Sequence, residues 1–98
     1  GGAGMSGGQR QSILLARILI RNPSVLLLDE PTSAMDSTTE KQFIAHLAYA
    51  STGRTLVIAT HRQSVLQLVD RLLIVDKGRI ILDGPRDDVL RKMQQQKQ

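Results

Sequence analysis

Hydrophobic positions along the chain fall into helix-spaced faces and short unbroken runs. From Gly8 to Arg21, Ile13, Leu14, Ala16, Leu19 and Ile20 make a broad apolar helical face. Ser6 with Gln9 forms a Ser-x-x-Gln capping box, which sets the helix start at Ser6. Asn22-Pro23 ends it, because the residue before a proline avoids the helical region. Val25 to Leu28 is four consecutive branched apolar residues between turn signals, the pattern of a strand buried on both faces in a parallel sheet. Pro31 to Met35 reads as loop. Ser37 with Glu40 makes a second capping box, opening a helix to about Ala50 with Phe43, Ile44 and Leu47 inward, and Gly53 fits its C-terminal cap. Thr55 to Thr60 is a second buried strand, followed by a short helix from Gln63 to Val69. Leu72 to Val75 and Arg79 to Leu82 flank Asp76-Lys77-Gly78, a hairpin signal in which Gly78 supplies the positive φ. Asp83-Gly84-Pro85 turns into a last helix carrying Val89, Leu90 and Met93, and the polar stretch Gln94 to Gln98 is expected to fray. Strands alternating with helices predict an α/β layered fold.

Composition narrows this picture. A chain of 98 residues has room for one small domain at most. With one Tyr, one Phe and no Trp, core volume must come from Leu, Ile and Val. The absence of Cys excludes disulfide and thiolate chemistry. His46 and His61 stand far apart, which argues against a zinc site. No apolar run approaches the roughly 20 residues that span a bilayer. Net charge is +4, but the basic residues are scattered and no aromatic side chains sit among them. Solvated helix faces are the expected explanation, and no nucleic-acid partner is expected. The opening Gly-Gly-Ala-Gly has no basic n-region, so it is not read as a signal peptide. It reads instead as the middle of a longer protein.

Two stretches carry candidate chemistry. In Ser6-Gly7-Gly8-Gln9, two glycines at a helix N-terminus remove the Cβ atoms that would hold a phosphate away from unpaired N–H groups. Ser6 either donates its hydroxyl to a phosphate oxygen or simply caps the helix, and an ordinary glycine loop before a helix is the favoured reading of the string taken alone. In Leu28-Asp29-Glu30, two carboxylates lie at the C-terminal end of a buried parallel strand, where open α/β sheets bind ligands. One can hold a hard cation such as Mg²⁺ and the other can orient or deprotonate water; a solvated turn is the plain alternative. His61 follows the second strand, just after Thr60, at a similar position; it can donate a hydrogen bond to a phosphate oxygen, though a lone His is usually satisfied by loop backbone. Asp36 reads first as a helix cap, and His46 as structural. No Gly-x-x-x-x-Gly-Lys-Ser/Thr loop occurs in the chain.

Taken together these strings resemble the ATP-binding cassette (ABC) proteins. Met5 to Gln9 resembles the Leu-Ser-Gly-Gly-Gln signature, with Met for the usual Leu. Val25 to Glu30 looks like the Walker B strand with its catalytic Glu, Ser33 to Asp36 is similar to the D-loop, and His61 to the switch His. Gly-Gly-x-Gly before the signature, Gln-Arg-Gln at its end and Ala-Thr-His-Arg at the switch resemble exporters. Ser33 to Glu40 and Val69 to Gly78 are similar to type I secretion ATPases, which export proteins.

The resemblance implies a partial P-loop NTPase (RecA-like) α/β fold of mostly parallel strands plus a C-terminal β-hairpin, lacking the Walker A strand. Residues 1–98 would be the C-terminal part of one ATPase domain. Its parts would be a signature helix over 6–21, a Walker B strand over 25–29, a D-loop over 33–36, the switch His at 61, and a hairpin and helix over 72–93. The resemblance further implies ATP and Mg²⁺ as ligands. Ser6, Gly7, Gly8 and Gln9 would serve an ATP held by a second ATPase domain, most simply in a homodimer. Asp29 would act on Mg²⁺, Glu30 as general base, His61 on the γ-phosphate, and Asp36 in coupling the two sites. Implied partners are the exporter's transmembrane domain and, for type I secretion, membrane-fusion and outer-membrane components, at the cytoplasmic face of a bacterial inner membrane. In the family the strand leading into Walker A lies between the His61 and Leu72 strands. Without it the isolated chain is expected to be inactive and to fold poorly. Two alternatives stay open: a soluble ABC ATPase acting on DNA or ribosomes, and an inert fragment.

Overall fold

The computed structural model describes residues 7–96. Met5 and Ser6, and with them the first capping box, lie outside the described residues. The chain divides into two compact units, Gly1–His61 and Arg62–Gln98.

The first unit runs α1 (Gly7–Ile20), β1 (Val25–Asp29), α2 (Ser37–Ala50) and β2 (Thr55–Ala59). The strands pair in parallel with Val25 opposite Thr55 and Asp29 opposite Ala59, so α2 is the crossover of a β-α-β unit. Helix α1 stops as the sequence predicts, but through Asn22 itself. Asn22 takes a left-handed φ of 51°, and its N–H donates to Leu19 O. Asn is one of the few side chains that tolerates this conformation.

The cap of α2 is Asp36, not Ser37. Asp36 has extended torsions, and its Oδ1 accepts from Thr39 N at 2.7 Å. That shift makes Ser37 the first helical residue and puts Glu40 one position too deep to reach back as a capping box requires. Glu40 is buried instead. At the other end the helix closes at Ser51, whose N–H donates to Leu47 O. Gly53, with φ of 77°, occupies the following turn rather than the cap. The Arg54 guanidinium then ties three carbonyl-side groups together, donating to Pro23 O, Ala50 O and Asn22 Oδ1.

Phe43, Ile44 and Leu47 are buried as expected, together with Leu15, Leu26 and Met35. The strands are not buried on both faces. Leu26 is 1% exposed, whereas Leu27 is 76% exposed and Val25 54%. In β2, Leu56 and Ile58 are half-buried and Val57 is exposed. A parallel strand needs a layer on each face, and the described residues supply only one. Helix α1 likewise buries Leu15 alone, leaving Ile13, Leu14, Ile18 and Ile20 exposed.

The second unit holds a 3₁₀ segment (Gln63–Leu68), β3 (Arg71–Asp76), β4 (Arg79–Pro85) and α3 (Arg86–Gln96). The strands form the expected antiparallel hairpin. Its two-residue turn has positive φ at both Lys77 and Gly78, the type I′ geometry that matches strand twist. The ladder shifts between Ile74 and Val75, which pair with Leu82 and Ile80, so Ile81 is the extra residue of a bulge. Asp83-Gly84-Pro85 does not turn; it stays in the ladder until Pro85, opposite Arg71. At a strand end the missing proline N–H is tolerated. Asp83 is held there by two hydrogen bonds from Arg71, at 2.9 and 2.8 Å. These bonds also keep its carboxyl below its ordinary pKa. Val65, Leu72 and Val89 form the buried centre. Arg86 Nη1 gathers the carbonyls of Leu66, Gln67 and Val69.

The fold is therefore mixed α/β, a parallel pair and an antiparallel hairpin in two separate two-stranded sheets. Among the described residues β2 pairs only with β1, and β3 only with β4.

Candidate functional site

The parallel register fixes the site. Because Asp29 lies opposite Ala59, the residues that follow, Glu30 after β1 and Thr60-His61 after β2, emerge side by side at the carboxyl ends of the strands. The ladder continues one step further through Glu30 N donating to Ala59 O at 2.7 Å. Glu30 then leaves the strand in the left-handed region, with φ of 46°. For a residue with a long side chain this conformation costs about 1–2 kcal/mol, so its surroundings must hold it.

They do so through the carboxylate. Oε1 accepts from the backbone N–H of His61 at 3.0 Å, and Oε2 from the hydroxyl of Thr60 at 3.2 Å. The His61 imidazole stands with Nε2 3.7 Å from Oε1, too far for a hydrogen bond. Glu30 is about a third exposed (31%), while the His61 side chain is 99% exposed and turned toward solvent. A carboxylate oriented from two sides, beside an open imidazole, can take a proton from water and present a donor to an anion.

The other candidates fall as follows. Asp29 is exposed at the strand end beside Glu30. Among the described residues no group of three or more His, Cys, Asp or Glu side chains could hold a metal ion alone. The Asp29 carboxylate is of the donor type that Mg²⁺ takes, one or two carboxylates plus phosphate oxygens. Asp36 is engaged as the α2 cap, and hydrogen bonds from Thr39, side chain and backbone, hold its carboxyl below its ordinary value. Gly7 and Gly8 are in the first turn of α1. Gln9 lines an open groove of about 440 Å³ between α1 and α2 with Ser12, Ile13, Thr39, Gln42, Phe43 and His46. Neither Asp29, Glu30 nor His61 reaches that groove. His46 is exposed on α2, away from the strand ends. Thr60 is not among the sequence candidates: it stands one residue past β2, between Ala59 and His61, and only the register sets its hydroxyl beside Glu30.

A carboxylate pair and an imidazole at the carboxyl ends of parallel strands is the layout of an open α/β ligand crevice. A family model described as ABC transporter matches residues 1–33. Over 89 residues the chain is 44% identical to multidrug resistance protein homolog 65 of Drosophila melanogaster, covering 91% of this chain and 7% of that protein. Over 88 residues it is 46% identical to the ATP-dependent lipid A-core flippase of Bordetella pertussis, covering 90% of this chain and 14% of the flippase. Its fold superimposes on a bacterial Atm1-family ABC exporter solved with ATP bound, with a TM-score of 0.80 and 36% identity, over 93% of this chain and 16% of the exporter. The chain belongs to the ABC transporter family, within its ATP-binding domain. It spans 7–14% of the length of these two relatives.

Proposed function

We propose that residues 1–98 are the C-terminal part of an ABC ATP-binding domain, and that in the whole protein they contribute to ATP hydrolysis that drives export across a membrane. The observation that carries this reading is the Glu30 carboxylate, fixed by Thr60 and His61 at the end of the parallel pair. Glu30 is the general base: it takes a proton from the water that attacks the γ-phosphate. His61 donates a hydrogen bond to a γ-phosphate oxygen from its open imidazole. Asp29 would hold Mg²⁺, which when bound neutralises phosphate charge. Ser6, Gly7, Gly8 and Gln9 face the nucleotide of a second ATP-binding domain, and Asp36 sets the start of α2 at that interface.

Membrane attachment would come through transmembrane domains. Among the described residues no helix is long and apolar enough to cross a membrane. A protein cargo, with membrane-fusion and outer-membrane partners at a bacterial inner membrane, is supported by the likeness of Ser33 to Glu40 and Val69 to Gly78 to type I secretion ATPases. The relatives reported above carry multidrug and lipid-flippase names, which support an amphiphilic small molecule equally. Glu30→Gln in the full-length protein tests the central step. Gln keeps an acceptor for His61 N–H but cannot take a proton, so turnover falls about 10²–10⁴-fold with ATP binding retained. Undiminished hydrolysis would refute Glu30 as base.

A further inference from the structure

We infer that Thr60 is a positioning residue for Glu30, the side chain among the described residues whose hydrogen bond fixes where the base points. This rests on the reading of Glu30 as general base. The two tethers on Glu30 differ in kind. The bond to Oε1 comes from a backbone N–H, which any residue but proline would supply at position 61. The bond to Oε2 comes from the Thr60 hydroxyl at 3.2 Å, which Ser would also offer and an apolar side chain of the same shape would not. Glu30 holds a left-handed backbone, φ 46°, so its side chain leaves the strand along an unusual direction. A single bond at Oε1 would leave the carboxylate free to pivot about it. The second bond closes that rotation and fixes the carboxylate plane. A carboxylate has about four acceptor positions, so two accepted bonds leave one on each oxygen open to water. Thr60 therefore aims the base without blocking it. The side chain is half-buried beside the exposed His61, so the same strand end positions the base and presents the phosphate-facing donor.

The test uses the full-length protein with Thr60→Val, which keeps the branched shape and removes the hydroxyl, and Thr60→Ser, which keeps the hydroxyl. Each is made alone and together with Glu30→Gln, with kcat, KM for ATP and equilibrium ATP binding measured. Losing one hydrogen bond to a charged group should lower kcat about tenfold or more in Thr60→Val. KM and ATP binding should stay within about twofold, and Thr60→Ser should restore most of kcat. In the Glu30→Gln background Thr60→Val should lower turnover no further, because the two residues act as one unit. Thr60→Ala gives the same comparison if Val crowds the strand. The inference is overturned if kcat is unchanged, if Ser fails to restore it, or if Thr60→Val costs the same factor with and without Glu30. Normal turnover in Glu30→Gln alone would instead overturn the base assignment, whatever Thr60 does.

Discussion

Residues 1–98, made alone, should not fold as a cooperative monomer. Among the described residues twelve large hydrophobic side chains are exposed, on average by a little more than half. Scattered exposed hydrophobes are ordinary, but these cluster. Leu27 and Val57 are register partners on one face of the parallel pair, with Val25 beside them. Val75 and Ile80 are partners in the hairpin, with Leu73 two residues away. Fully burying such a side chain is worth about 1.5–3 kcal/mol, so leaving twelve half out forgoes on the order of 10–15 kcal/mol. A domain's whole stability is about 5–15 kcal/mol. The edges of β2 and β3 add unpaired backbone groups open to association. Circular dichroism during heating should show a broad, shallow change, and sedimentation should show association. A sharp two-state melt with a monomeric boundary would refute the reasoning. Leu27→Ala sharpens the point: at 76% exposure it should be neutral within about 0.5 kcal/mol if the chain's own surroundings are complete. In the full-length protein it should cost about 2–5 kcal/mol, the penalty of a core truncation. Equal midpoints for wild type and Leu27→Ala in urea titrations of the full-length protein would overturn this view.

Further outcomes follow from particular contacts. Leu47→Ala, at a position fully buried (0% exposed), should lower the stability of the full-length protein's ATP-binding domain by about 2–5 kcal/mol in urea titration. Arg54→Lys keeps the charge but cannot make the forked contacts to Pro23 O, Ala50 O and Asn22 Oδ1, and should cost about 1–2 kcal/mol by the same measurement. Asp36 and Asp83 are both more acidic folded than unfolded, through hydrogen bonds from Thr39 and Arg71. The stability they contribute is complete above the unfolded value near 3.9 and drains away as pH falls through the lower folded values. Denaturation midpoints of wild type and Asp83→Asn should therefore differ at neutral pH and converge once the pH has fallen through the lowered folded value of Asp83. A gap that persists there would exclude the ion pair as its source.

Element positions were legible in the sequence because their signals are local. The turn glycine at 78, the Asn22-Pro23 stop and the apolar spacing of α2 each act within a few residues. Where neighbours competed, sequence could not choose. Asp36 and Ser37 are both good caps, and the choice belongs to the backbone, which leaves Asp36 extended. The positive φ of Lys77 is demanded by a two-residue turn, not by lysine. Asp83-Gly84-Pro85 has turn composition, yet its ladder and the two bonds from Arg71 keep it in the strand. At the site, strand-end placement was enough to bring Asp29, Glu30 and His61 to one end. Thr60 was not legible, because a terminal hydroxyl has no meaning until the register sets it beside Glu30.

Burial is where pattern and structure part, and the difference is informative. Val25 to Leu28 reads as a strand covered on both faces, and alternation in the structure covers only Leu26 well. A run of four branched apolar residues has no use on a half-solvated strand, where alternation with polar residues would serve. The run therefore encodes a second layer that the described residues do not provide. Broad apolar coverage of α1, of which only Leu15 is buried, encodes the same thing. The superimposed exporter supplies an independent reason: this chain accounts for 16% of it. The hydrophobic pattern was correct about the environment for which these strands are built. What it could not say is that the described residues supply only one side of that environment, and the exposed pair Leu27 and Val57 marks where the other side belongs.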